Sequence, residues 1–262
     1  MANKLVNYST DRGLAIIELN NPPANSYGLD LLRELDDAII QARLDEDVHV
    51  LVLRGAGDRF FCAGADIKML NESSPAGRYN FALFGNETLQ RLERTPKLVI
   101  AALNGHATGG GLEIAMACDI RLARKGGGRV GVPEVNLGAI PGMGGTQRLP
   151  RLIGRGRAIE LMTTGRLLEF EEAHALGIVN QVLESDGFWE KVLEYARQFV
   201  VPNRASAAVG WIKRAVTSGL DASLDVGLAV ERELLQQAFT SEDLKEGTSA
   251  FLEKRKAVYK GR

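Results

Sequence analysis

Residues Asn104 to Arg148 read NGHATGGGLEIAMACDIRLARKGGGRVGVPEVNLGAIPGMGGTQR. Gly109, Gly110 and Gly111 follow the apolar run Leu98 to Leu103 and precede the periodic run Leu112 to Cys118, a pattern that predicts a strand-to-helix turn. Backbone without Cβ atoms can approach a ligand closely, and the first N–H groups of a helix have no intrahelical acceptor. Such donors suit a developing oxyanion. Glu113 falls three residues after Gly110, so its carboxylate is expected on the same helix face, beside those donors. A glycine turn into a helix is also ordinary scaffold, and the helix dipole alone favours an acid in the first turn. A second acid shifts the balance. Glu134 follows Pro133, ahead of Pro141, Gly142, Gly144 and Gly145, which predict another turn into a helix. Alone, Glu134 reads as a solvated loop acid; together with Glu113 it makes a pair able to give and take protons.

Outward from this stretch, Leu14 to Asn20 reads as a strand stopped by Asn20-Asn21-Pro22-Pro23. Leu31, Leu32, Leu35, Ala38, Ile39 and Ala42 recur at helical spacing, which predicts an amphipathic scaffold helix to about Leu44. Val48 to Leu53 is a nearly continuous apolar run, as expected of a strand buried on both faces. VLVLRGAGDRFFCAGADI and LVIAALNGHATGGGLEI echo one another as strand, glycine-rich turn and helix start. Two such units side by side could each contribute one N–H to a shared oxygen. Asn71 to Phe84 mixes polar residues, proline, glycine and aromatics and reads as a loop or a broken helix. Leu152 to Met162 and Glu169 to Leu176 read as helices, and Val179 to Leu183 as a short strand. From Gly187 the pattern is helical, broken at Pro202, Gly219 and Gly247.

Composition excludes several classes. The chain has 262 residues, enough for a full core in one or two domains. Its 32 Lys and Arg against 33 Asp and Glu leave a formal net charge of -1, so no global field favours nucleic acid or an anionic membrane. Cys62 and Cys118 have no disulfide or metal spacing and are expected as packing residues, which fits a reducing compartment. The N-terminal twenty residues lack a signal-peptide pattern and no run is long enough to span a bilayer, so a cytoplasmic protein is expected. His49, His106 and His174 have no metal-ligand spacing, and neither a G-x-S-x-G elbow nor a P-loop lysine occurs. His106 is expected to support the glycine turn rather than act as the base, because the glutamate pair already accounts for proton transfer. Gly126, Gly128 and Gly131 formally satisfy G-x-G-x-x-G. Dinucleotide binding needs a helix directly afterwards, whereas Pro133 and an extended VPEV follow here.

GHATGGGLEIAMACD, VPEVNLGAIPGMGGTQRLPRLIG and FFCAGADIK at Phe60 to Lys68 together resemble the signature of the crotonase superfamily, the enoyl-CoA hydratase and isomerase family. The resemblance runs from about Leu5 to Lys260, with Val130 where the family usually has phenylalanine and a glycine run one residue longer. It implies an α/β fold in which repeated ββα units wind into a spiral over residues 1–200, holding a CoA-thioester site. Residues 201–262 would then form a C-terminal helical region that covers the active site and packs in a trimer or dimer of trimers. By the same resemblance, the Ala65 and Gly110 N–H groups hold the thioester oxygen, and Glu113 and Glu134 are the acid/base pair. Ala63, Asp66, Ile67, Lys68, Phe251 and Lys254 are the implied contacts to the acyl-CoA. Coenzyme A would be part of the substrate, with no separate cofactor, metal, nucleic acid or membrane expected. The implied reaction is addition of water to a 2-enoyl thioester, as in fatty-acid β-oxidation. A double-bond isomerase needs only one of the acids, and a non-catalytic RNA- or partner-binding protein could use the same scaffold.

Overall fold

The computed structural model describes residues 4–262. Residues 1–3, where the N-terminal stretch read above begins, lie outside the described residues. The strands are β1 (Val6–Asp11), β2 (Leu14–Leu19), β3 (Val50–Gly55), β4 (Phe60–Cys62), β5 (Leu98–Leu103), β6 (His106–Thr108), β7 (Ile120–Arg124), β8 (Arg129–Gly131), β9 (Leu168–Glu169) and β10 (Gln181–Leu183). The helices that surround them are α1 (Leu29–Leu44), α2 (Ile67–Glu72), α3 (Pro75–Glu93), α4 (Gly110–Met116), α5 (Gly145–Ile153) and α6 (Arg155–Thr164). α7 (Phe170–Ala175), α8 (Phe188–Arg197), α9 (Ser206–Leu220), α10 (Leu224–Phe239) and α11 (Glu242–Leu252) complete the chain.

Successive turns of the chain place one strand in each of two sheets. The larger sheet has the order β1-β2-β3-β5-β7-β10, parallel except for the β1–β2 hairpin. The smaller has the order β4-β6-β8-β9, parallel through β8. Thus β3, β5 and β7 stack as neighbours while β4, β6 and β8 stack beside them, which is a spiral of ββα turns. The apolar runs reflect burial on both strand faces. Val50 and Val52 pack with Leu98, Ile100 and Val192 of α8, whereas Leu51 and Leu53 face the core containing Leu31, Leu35 and Ile39 of α1.

Some boundaries differ from the sequence reading. The apolar run Leu98 to Leu103 does not lead into the triple glycine directly, because β6 intervenes. Asn71 to Phe84 is a broken helix: Ser73 ends α2, Ser74 caps Gly77 N–H, and Pro75 starts α3 without needing an N–H partner. The helix expected over Leu152 to Met162 is two, since Gly154 at φ +82° separates α5 from α6. The G-x-G-x-x-G match is a turn between β7 and β8, with Gly131 inside a strand, so no helix opens after it. Val130 is fully buried between Ala107 and Leu168, so the smaller side chain leaves β8 in register.

The C-terminal region is helical as expected, beginning at Ser206. α9 and α10 pack against one another where Gly219 and Gly227 bring the backbones close. Among the described residues no helix is long and apolar enough to cross a membrane.

Candidate active site

β4 and β6 are parallel neighbours, so the turns that leave their carboxyl ends emerge side by side. Ligands bind at such ends in parallel sheets. One turn carries Ala63, Gly64 and Ala65; the other carries Gly109, Gly110 and Gly111. They abut closely: a Cβ on Gly64, at φ +93°, would stand 3.2 Å from Gly110 N. Glycine is needed here for both the conformation and the approach. The Ala65 and Gly110 N–H groups donate to no acceptor among the described residues, and both residues line a cavity of about 380 Å³.

Glu113 lies one helical turn after Gly110 in α4 and is 2% exposed. Its Oε1 accepts from Met143 N–H at 2.8 Å and Gly145 N–H at 2.6 Å. Gly145 opens α5, so the unsatisfied donors of that helix grip the carboxylate. Burial pushes the Glu113 carboxyl upward, while the hydrogen bonds from Gly145 and Met143 pull it back. Its Oε2 lies outside these two bonds.

Glu134 opens a 3-10 turn, Glu134–Leu137, and reaches over the other glycine turn. A Cβ on Gly109 would stand 3.1 Å from Glu134 Oε1. Glu134 Oε2 is buried with no hydrogen-bond partner among the described residues. An orphaned buried oxygen on a cavity wall is suited to a substrate atom or water. Burial, and then the charge of Glu113, raise the Glu134 carboxyl to about 7. The reading of Glu134 as a solvated loop acid is therefore set aside: both acids line one cavity and Glu134 feels the charge of Glu113.

Ala63 and Ile67 also line the cavity. Asp66 and Lys68 do not: Asp66 caps α2 by accepting from Lys68 N–H at 2.9 Å and Met69 N–H at 3.2 Å. Phe251 is 83% exposed and lines a separate groove with Trp211 and Tyr259, and Lys254 follows α11, so neither joins the acids within this chain. His106 does not line the cavity and sits at the start of β6. Its Nδ1 accepts from Arg129 N–H at 3.0 Å and its ring lies against Phe60. Tyr27, Phe81 and Met143 line the cavity without having been singled out from sequence, since nothing in their local pattern distinguishes them from packing residues. Among the described residues no cluster of His, Cys, Asp and Glu could hold a metal ion.

A spiral of ββα turns carrying paired glycine-rich turns and two acids on one cavity defines a protein of the crotonase fold. The sequence model described as enoyl-CoA hydratase/isomerase matches residues 9–262, and the chain belongs to that family. It is 42% identical over 244 residues to the short-chain-enoyl-CoA hydratase of Clostridium acetobutylicum, covering 93% of this chain and 92% of the relative. It is 38% identical over 260 residues to the crotonyl-CoA hydratase of Syntrophomonas wolfei, covering 99% of each. A crystal structure of an enoyl-CoA hydratase from Geobacillus kaustophilus superposes with a TM-score of 0.96 at 42% identity, over 100% of this chain and 98% of that one.

Proposed function

We propose that this protein adds water across the 2,3 double bond of a short-chain 2-enoyl-CoA to give the 3-hydroxyacyl-CoA. The observation that carries this reading is the convergence of Glu113 and Glu134 on one cavity that also presents the unpaired Ala65 and Gly110 N–H groups. The two amides hold the thioester oxygen and stabilise the enolate-like charge that develops as oxygen attacks C3. Losing one such donor costs on the order of 3 kcal/mol in the transition state. Glu113 takes a proton from the attacking water and Glu134 delivers one to C2. The assignment of roles rests on the electrostatics: Glu134, raised to about 7, holds a proton more readily near neutral pH. Glu113 is kept available as a carboxylate by two main-chain donors.

Coenzyme A enters as part of the substrate, with no further cofactor in the reaction. Ile212, Val216 and Leu220 on α9 and Leu224, Leu228 and Phe239 on α10 are exposed on the single chain, which supports a homotrimer or dimer of trimers that covers them. A cytoplasmic location fits the near-neutral charge and two buried thiols.

Incubation of the pure protein with crotonyl-CoA tests the reading. Loss of the conjugated enoyl absorbance with formation of a 3-hydroxyacyl product is the expected result. Turnover of a 3-enoyl thioester without hydration would assign the isomerase reaction instead. Salt-sensitive RNA binding without either turnover, unaffected by Glu113→Gln and Glu134→Gln, would point to a non-catalytic role.

A further inference from the structure

Tyr27 touches both halves of the amide pair. Its own backbone brackets Ala65: Tyr27 N–H donates to Gly64 O at 3.0 Å, and Asp66 N–H donates to Tyr27 O at 2.9 Å. In a parallel bridge the residue between those two partners directs its own N–H away from the bonded edge. Ala65 N–H is thereby turned from Tyr27 and left for the cavity. The side chain of Tyr27 reaches the other turn. A Cβ on Gly110 would stand 1.6 Å from Tyr27 Oη, so the phenol hydroxyl occupies the space that any side chain at Gly110 would need.

The hydroxyl has no evident structural task. Tyr27 is 2% exposed and lines the catalytic cavity, and its ring stacks on Phe81 with centroids 6.0 Å apart. Its O–H makes no hydrogen bond to a described residue, and unlike Glu134 Oε2 it is not fully enclosed, so it opens to the cavity. Phenylalanine would pack the same ring and leave the cavity without this donor. Burial, reinforced by the charges of Glu113, Cys62 and Glu134, holds the phenol well above its ordinary range, so it stays protonated and keeps an O–H to donate.

We propose that Tyr27 is a further catalytic residue, whose O–H donates a third hydrogen bond to the C1 oxygen of the bound acyl thioester beside the Ala65 and Gly110 N–H groups. The proposal rests on the acyl-thioester reading of the site. No proton leaves the phenol. The bond strengthens as negative charge gathers on the oxygen and relaxes when C2 is protonated.

Tyr27→Phe removes the hydroxyl and keeps the ring on Phe81. Two affinities are measured by calorimetry, for butyryl-CoA and for S-butyl-CoA, a thioether without the carbonyl, together with kcat for crotonyl-CoA. The expected result is about tenfold weaker butyryl-CoA binding, unchanged S-butyl-CoA binding, and kcat lower by about a hundredfold. Ring-fluorinated tyrosine at position 27, nearly the same size with a more acidic O–H, is expected to retain the preference for the thioester. Equal losses for both ligands, no loss for either, or a fall in kcat with thioester affinity intact would each overturn the assignment to the C1 oxygen. The binding arm needs no turnover. A wild-type protein that prefers thioester to thioether but does not hydrate crotonyl-CoA would sink the hydratase reading while leaving Tyr27 open to the same comparison.

Discussion

Gly145 N–H donates to Glu113 Oε1 at 2.6 Å, joining the first residue of α5 to a carboxylate 32 positions earlier in the chain. Met143 N–H donates to the same oxygen, so one side of Glu113 is fixed and Oε2 lies outside these two bonds. Arg148 extends the arrangement. Its guanidinium donates to Met143 O and forms a bidentate pair with Glu93 of α3, fastening the loop that holds Glu113. A general base needs this kind of support, because a carboxylate free to swing would lose the geometry on which proton transfer depends.

Glu113→Gln keeps a carbonyl oxygen for the Met143 and Gly145 donors but cannot accept a proton from water. The expected outcome is a kcat lower by about 10²- to 10⁴-fold with little change in KM or thermal stability. Steady-state kinetics with crotonyl-CoA, alongside a melting curve, checks it. A melting temperature that collapses with the activity would show instead that the carboxylate is chiefly structural.

The pH dependence follows from Glu134. Its carboxyl is raised to about 7, first by burial and then by Glu113, so the protonated form is lost as pH rises through that value. In the proposed mechanism that proton goes to C2, so kcat/KM is expected to fall on the alkaline side with a midpoint near pH 7. It should fall again at acid pH when Glu113 takes up a proton. Profiles of kcat/KM report these groups in the free enzyme. In Glu134→Gln the residual activity should lose the alkaline limb; retention of that limb would assign it to another group.

Much of this site is legible in the sequence where the signal is local. The triple glycine followed by Glu113 encodes a turn, donors and an acid within five residues, and the apolar runs of β3 and β5 encode strands buried on both faces. What escapes is the long-range part. Met143 and Gly145 meet Glu113 only after a full turn of the spiral, and Tyr27 meets Gly110 from the loop between β2 and α1. Gly154 ends a helix through its left-handed backbone, although the periodicity on either side reads as continuous. Asp66 sits in a family motif yet serves as a helix cap, a task that residue type alone already favours.

The C-terminal helices depend on a buried ion pair. Lys213 Nζ of α9 lies 2.8 Å from Asp119 Oδ2 and also donates to Lys97 O, while Asp119 accepts from Val99 N–H of β5. Lys213→Ala strands a buried carboxylate, and is expected to destabilise the protein by about 3 kcal/mol, roughly 6–12 °C in Tm. Burial already raises the Asp119 carboxyl. Once protonated it needs no cation, so the deficit should shrink as pH falls through that raised value. Lys213→Met combined with Asp119→Asn is expected to recover much of the loss. Melting curves across pH measure both effects; a deficit that is flat with pH would exclude the unpaired charge as its cause.

In the proposed hydratase the apolar wall of the cavity is expected to set the length of acyl chain. Phe81 of α3 stacks on Tyr27, with Leu70, Ile140 and Met143 lining the same space, so its ring closes volume that a longer chain would occupy. Phe81→Ala exchanges that ring for room. A longer acyl chain can then bury additional methylenes, each worth about 0.8 kcal/mol. The expected outcome is a rise of roughly fourfold per added methylene in the preference for longer enoyl-CoA substrates over crotonyl-CoA, read as a ratio of kcat/KM values. Absolute rates for crotonyl-CoA should fall, since Tyr27 loses the neighbour that holds its ring. A ratio that does not move with chain length would place the acyl tail along another wall, most directly the one formed by Leu137 and Asn136.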